Sequence, residues 1–149
     1  MSPATATATA IGTGTGTATG TATALLTPAQ AVERSGFSLD TLRYYERIGL
    51  LGTVGRSRTG HRRFTPHDLE WLAVLRCLRD TGMPIADMLR FAELVRAGEA
   101  TVGARLTALE RHDAQVEAQI AHLRLQQELI HRKIGHYRAA LGGADPARD

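Results

Sequence analysis

Large apolar residues are nearly absent from the first 24 positions, recur at three-and-four spacing in short runs from Leu25 to Val95, and then settle into a seven-residue repeat reaching Leu141. The first stretch is almost entirely Ala, Thr and Gly, with Ile11 its one large aliphatic side chain. It cannot offset the entropy of ordering itself, so residues 1–24 are expected to form a disordered tail. The organised pattern begins abruptly at Leu25, which also admits a start codon misassigned upstream. From there Thr27-Pro28-Ala29-Gln30 supplies an N-cap, a first-turn proline and an N3 glutamine, the parts of a capping box. That helix presents Ala31 and Val32 and stops at Ser35-Gly36, and Ser38 caps a second helix two residues later. Two short helices joined so tightly predict a helix-turn-helix, whose second helix normally enters the major groove.

Between Gly52 and Phe64, two strand-capable pieces, Thr53-Val54 and His61-Arg62-Arg63-Phe64, flank the turn Gly55-Arg56-Ser57-Arg58-Thr59-Gly60 and predict a basic hairpin, or wing. Thr65-Pro66-His67-Asp68 opens a third helix with Leu69, Leu72, Leu75 and Leu78 inward, Trp71 and Val74 broadening the face, and Gly82 at its end. A fourth runs from about Pro84, with Ile85, Met88, Leu89, Ala92 and Val95 inward, to Gly98. Residues 25–98 are thus expected to form one winged helix-turn-helix domain.

Residues 99–141 read as a coiled-coil dimerisation helix capped by Thr101. Its d positions are Val102, Leu109, Val116, Leu123, Ile130 and Tyr137, and its a positions are Leu106, Asp113, Ile120, Gln127, Ile134 and Leu141. Ten of these twelve are apolar, a pattern that asks for a second helix to cover it. Asp113 and Gln127 interrupt the seam, as polar residues that fix register do. Leu125 and Leu129 fall outside it and ask for a further surface. Residues 142–149 read as a flexible tail, with no room for a separate ligand-binding domain. The expected fold is therefore mainly α: a winged helix-turn-helix followed by a long dimer helix.

The net charge is only +3, but seven arginines (Arg34, Arg43, Arg47, Arg56, Arg58, Arg62, Arg63) face three acids between Leu25 and Phe64, while the rest of the chain is near balance. Such local positive excess is the footprint of a polyanion-binding surface. Arginine suits bidentate contact with phosphate and guanine, although a GC-rich genome gives the same bias. The single cysteine, Cys77, rules out an intramolecular disulfide and fits a reducing compartment. Neither a secretory signal nor a run of about 20 apolar residues is present, so a cytoplasmic protein without membrane contact is expected. No phosphate-cradling loop, paired carboxylates or nucleophile–base signature argues for an enzyme, and no cofactor is implied.

The order of these parts, with Leu42-Arg43-Tyr44-Tyr45-Glu46-Arg47-Ile48-Gly49-Leu50-Leu51 in the second helix and Gly60-His61-Arg62-Arg63-Phe64 in the wing, resembles the MerR family of bacterial transcriptional regulators from Leu25 to about Leu141. The resemblance implies an antiparallel coiled-coil homodimer on a pseudo-palindromic operator in the promoter spacer. Such a dimer bends and untwists double-stranded promoter DNA so that RNA polymerase can engage both promoter elements. It implies that Arg43 reaches the major groove, that Thr41, Tyr44, Tyr45 and Arg47 lie where the helix meets backbone and bases, and that Arg56 and Arg62, with Arg58 and Arg63 beside them, grip phosphate from the wing. Tyr45 and Leu42 have a competing role, packing the helix on the core.

Metal-sensing relatives carry cysteines at the start of the dimer helix and after it, where this chain has none. His112, His122, His131 and His136 lack the three-or-four step that puts ligands on one helix face, so they read as solvated side chains and no metal site is expected. Cys77, in Leu75-Arg76-Cys77-Leu78-Arg79, resembles instead the single cysteine of the short NmlR-like branch, which implies a response to aldehydes or other electrophiles. Its same-face neighbours, Ala73, Val74, Asp80 and Thr81, leave open whether the thiol is exposed and reactive or buried and inert. Two other functions compete: an architectural or excisionase-like DNA-binding protein with no effector, and a coiled-coil adaptor for another protein.

Overall fold

The structure, a computed structural model, describes residues 24–143. Three helices start where hydroxyl and proline signals place them. In α1 (Pro28–Ser35) the Thr27 hydroxyl accepts from the Gln30 amide and the Gln30 side chain accepts from the Thr27 amide at 2.9 Å, closing the capping box. In α2 (Leu39–Arg47) the Ser38 hydroxyl accepts from the Thr41 amide at 3.1 Å. In α3 (Pro66–Asp80) Thr65 and Asp68 cap reciprocally. The turn between α1 and α2 needs its glycine twice over. Gly36 has φ +72°, and a Cβ there would sit 1.5 Å from the Arg76 guanidinium, which donates to the Ser35 carbonyl at the end of α1.

The wing is β1 (Gly55–Arg56) antiparallel to β2 (Arg62–Arg63), with Gly55 opposite Arg63 and Arg56 opposite Arg62. Leu26 bridges Phe64 through two backbone bonds of 2.8 and 2.9 Å, tying the start of the domain to the wing's exit. The first strand is expected at Thr53-Val54 but begins two residues later, at Gly55, inside what the sequence reads as the turn. The Val54 side chain is buried in the core, so the backbone becomes free to pair only once the chain leaves it.

The core gathers Phe37, Leu42, Leu50, Phe64, Leu72, Leu75 and Met88, all almost completely buried. Side chains of this size contribute about 1.5–3 kcal/mol each on burial. Helix α4 (Ile85–Arg96) starts at Pro84 without a side-chain cap and turns Met88, Phe91 and Ala92 inward. Phe91 was not among the expected core residues; it stacks on Trp71 with ring centroids 6.1 Å apart. Ile85, expected inward, is exposed in the first turn of α4.

A 3-10 turn (Glu99–Thr101) precedes α5 (Val102–Gly142). The Thr101 hydroxyl does not cap α5. It donates back to the Leu94 and Gly98 carbonyls and so fixes the corner between α4 and α5. The first turns of α5 lie on the winged domain through Ala108 and His112, and beyond Gln119 every residue of the helix is exposed. His112 corrects the expectation of solvated histidines. It is 8% exposed, with Nε2 2.7 Å from the Thr81 hydroxyl at the end of α3. Gly142, placed in the tail by the sequence, is the last residue of α5. The expectations for the two tails otherwise fall outside the described residues.

Candidate nucleic-acid interface

Helix α2 is two-faced because its apolar residues sit three apart. Leu42 and Tyr45 are buried, the Tyr45 ring meeting Phe37 edge-on at 5.3 Å. Asp40, Arg43, Tyr44 and Arg47 occupy the opposite, exposed face. Of the two roles open to Tyr45, the structure places it in packing: only 4% of it is exposed, and it stands apart from the face that holds the arginines. Tyr44 is the exposed tyrosine of the pair, and the Arg47 guanidinium lies over its ring at 5.4 Å. Thr41 is half-buried, its hydroxyl 2.9 Å from that of Ser38, so it belongs to the helix start.

The wing arginines divide by role. Arg62 Nε donates to Glu46 of α2 at 2.6 Å, a half-buried ion pair that locks the wing to α2. Arg56 donates to the Gly60 carbonyl at 3.0 Å and braces the wing turn, where Ser57 and His61 close the loop through a 2.7 Å backbone bond. Arg63 is half-buried and donates to the neighbouring carbonyl of Arg62, while Arg58 stands exposed in the turn. The outward face of α2 and the wing tied to it through Arg62 and Glu46 together carry these basic side chains. Guanidinium groups on such a surface suit phosphate oxygens and guanine edges.

Sequence reasoning missed several residues that hold this surface in place. Glu46 sits within the motif and reads as one more charge until its partner sixteen residues away is seen. Trp71 Nε1 donates to the Leu50 carbonyl at 2.9 Å, and Arg96 donates to the Gly49 carbonyl, so α3 and α4 both clasp the turn that follows α2. The lone tryptophan was the one available signal.

Cys77 is exposed on α3. The Thr81 hydroxyl donates to the Cys77 carbonyl at 2.7 Å and also meets His112, so the backbone carrying the thiol is bonded towards α5. Among the described residues, no three His, Cys, Asp or Glu side chains gather as a metal site, and no helix is long and apolar enough to cross a membrane. Of the apolar residues at the expected heptad positions, Val102, Leu106, Leu109, Ile120, Leu123, Ile130, Ile134, Tyr137 and Leu141 are exposed, as are Leu125 and Leu129, and Val116 is half-buried.

Comparison with known proteins fits this layout. The profile of the MerR HTH family of regulatory proteins matches residues 26–92, from the start of the domain into α4. An HTH-type transcriptional regulator of Haemophilus influenzae is 44% identical over 114 residues, covering 76% of this chain and 84% of the relative. The regulator AdhR of Bacillus subtilis is 36% identical over 81 residues, 54% of this chain and 58% of AdhR. Among solved structures, HiNmlR, a MerR family regulator lacking the sensor domain and bound to promoter DNA, superposes with a TM-score of 0.73 at 42% identity, covering 80% of this chain and 94% of HiNmlR. A MerR family regulator from Listeria monocytogenes superposes at 0.75 with 34% identity, covering 81% and 92%. The chain belongs to the MerR family of helix-turn-helix transcriptional regulators.

Proposed function

We propose that this protein binds double-stranded promoter DNA as a homodimer, with α5 pairing antiparallel to a second copy and each winged domain occupying one half-site. The observation that carries this reading is the pairing of two exposed surfaces on one chain: the basic face of α2 with its wing, and an apolar stripe along a 41-residue helix. Arg43, Tyr44 and Arg47 meet the major groove, while Arg56, Arg58, Arg62 and Arg63 approach the flanking phosphates. The promoter DNA in the HiNmlR structure supports the choice of ligand. Bending a promoter spacer costs on the order of 1–6 kcal/mol, which phosphate contacts from the two wings offset. The distorted spacer then presents both promoter elements to RNA polymerase. The compartment is the cytoplasm, where promoter and polymerase reside.

Cys77 is the proposed sensor. Its thiol is exposed, and addition of the S–H across an aldehyde C=O gives a hemithioacetal with no further reactant. The Thr81–His112 contact offers the mechanical route from that site to α5 and thence to the separation of the two recognition helices. Footprinting upstream of the protein's own and neighbouring genes tests the DNA reading, and the expected protection spans a promoter spacer. With about three phosphates neutralised per subunit, log affinity falls against log salt with a slope near −5. Binding without sequence preference would favour the architectural alternative. Cys77→Ala in a reporter strain should abolish induction by aldehydes while leaving operator binding intact; induction that survives this change removes the thiol from the mechanism.

A further inference from the structure

One residue on the exposed face of α2 is out of keeping with the others. Asp40 lies in the first turn, one helical turn before Arg43, and its side chain is 95% exposed. Its carboxylate approaches the Arg43 guanidinium only to 3.9 Å, too far for a hydrogen bond, and Arg43 is itself more than half exposed. Neither group is therefore consumed by the other. A carboxylate facing a phosphate backbone repels it, so an acid at this position opposes the affinity that the surrounding arginines create. An acid in the first turn also suits the helix dipole, but that benefit requires no particular base opposite it.

We propose that Asp40 and Arg43 form a two-residue reader of a C·G step in each half-site, with Asp40 as the specificity-determining member. The inference rests on the proposed docking of α2 in the major groove. A carboxylate only accepts hydrogen bonds, and in the major groove the cytosine N4 amino group is the donor it matches, whereas guanine O6 and N7 are the acceptors that arginine matches. Residues three apart on a helix stand about 5–6 Å apart at Cβ, so the two side chains reach the same or adjacent base pairs. Thymine opposite Asp40 would present its O4, and two acceptors would face each other across a desolvated gap. Asp40 thus lowers affinity for DNA in general and withholds the penalty where cytosine supplies its proton.

The test is selection of binding sites from a randomised duplex pool by the wild type, Asp40→Asn, Asp40→Ala and Arg43→Ala, followed by titration of the selected site and of a C-to-T replacement at the preferred cytosine. The wild type should enrich a C·G step in both half-sites. Asp40→Ala should bind random duplex more tightly and lose about tenfold of its discrimination between cytosine and thymine, the order expected for one specific base contact. Asparagine can donate as well as accept, so Asp40→Asn should shift the preferred base towards adenine. Identical selected sites and unchanged discrimination in both Asp40 variants overturn the proposal and leave Asp40 a helix-start charge. Arg43→Ala separates this failure from a failure of the docking itself: if it binds as the wild type does, α2 does not enter the groove and both readings fall.

Discussion

Leu72 and Leu123 are the same residue on the apolar stripes of two helices in one chain, yet Leu72 has no exposed surface and Leu123 is 66% exposed. The contrast extends to the whole of the two regions. From Leu26 to Ala92 the large apolar side chains, Tyr44 and Ile85 apart, close over one another, whereas from Ile120 to Leu141 they line a bare helix. A helix of 41 residues runs about 60 Å, far beyond the reach of the small domain at its start. Soluble proteins rarely leave so large an apolar stripe uncovered. The first region buries its apolar side chains largely within itself, and the second leaves its own uncovered. A mutation's effect should therefore differ in kind between them: loss of folding in the first, loss of partnership in the second.

The largest effect is expected at Phe64, which has no exposed surface and also carries the bridge to Leu26. Phe64→Ala should destabilise the winged domain by about 3–5 kcal/mol in denaturant unfolding. Leu123→Ala, by contrast, should leave the unfolding of that domain unchanged at concentrations where the chain is monomeric. If the two substitutions destabilise it equally, the division into two regions is wrong. The next largest effect belongs to the bare helix. Ile120→Asp puts a charge at an a position in the middle of α5, and sedimentation should then report a single subunit at micromolar concentration. Operator affinity should fall about 100-fold or more, since each winged domain loses the avidity of its tethered twin.

The two regions were also unequally legible in the sequence. Capping boxes at Thr27 and Thr65, the Ser38 cap and the glycine at position 36 are local signals, and each ends or begins a helix where expected. The heptads of α5 are equally local, and one unbroken helix runs through them. What escaped were choices made by long-range packing. Phe91 is core because Trp71 lies across from it, and Val54 delays a strand because it is needed inside; Tyr45, which the sequence leaves open between two roles, turns inward because Phe37 waits there. His112 escaped for the same reason: its partner, Thr81, is 31 residues away at the end of another helix. The arginines of the interface were found by charge, but their division into bracing and exposed members depends on Glu46 and the Gly60 carbonyl, which no count of charges discloses.

Glu46→Gln sharpens the comparison from within the first region. It keeps every arginine but weakens the 2.6 Å bond to Arg62, whose half-buried guanidinium then loses its counter-charge. Because both side chains retain some contact with water, the expected destabilisation is about 1–2 kcal/mol, below the cost of breaking a fully buried pair. Operator affinity should nonetheless fall severalfold beyond that produced by a similarly destabilising core change such as Leu78→Val, because the wing would no longer be held at a fixed angle to α2. Equal losses in the two variants would mean that the Arg62–Glu46 bond contributes stability alone.

The smallest predicted effect lies where the regions join. The Thr81 hydroxyl gives its proton to the Cys77 carbonyl at 2.7 Å, so towards His112 it acts as acceptor and the ring donates from Nε2. His112 Nδ1 is buried without a partner among the described residues. Thr81→Val preserves shape but orphans Nε2 as well, at an expected cost of about 1 kcal/mol. Replacing both partners with apolar groups should be gentler than replacing one, because no polar atom is then left desolvated and alone. Thr81→Val with His112→Leu should accordingly be more stable than Thr81→Val by itself, a sign reversal that a double-mutant cycle in denaturant reads directly. Additive losses would mean that α3 and α5 merely touch at this joint, and a change at Cys77 would then have to reach the dimer helix by another path.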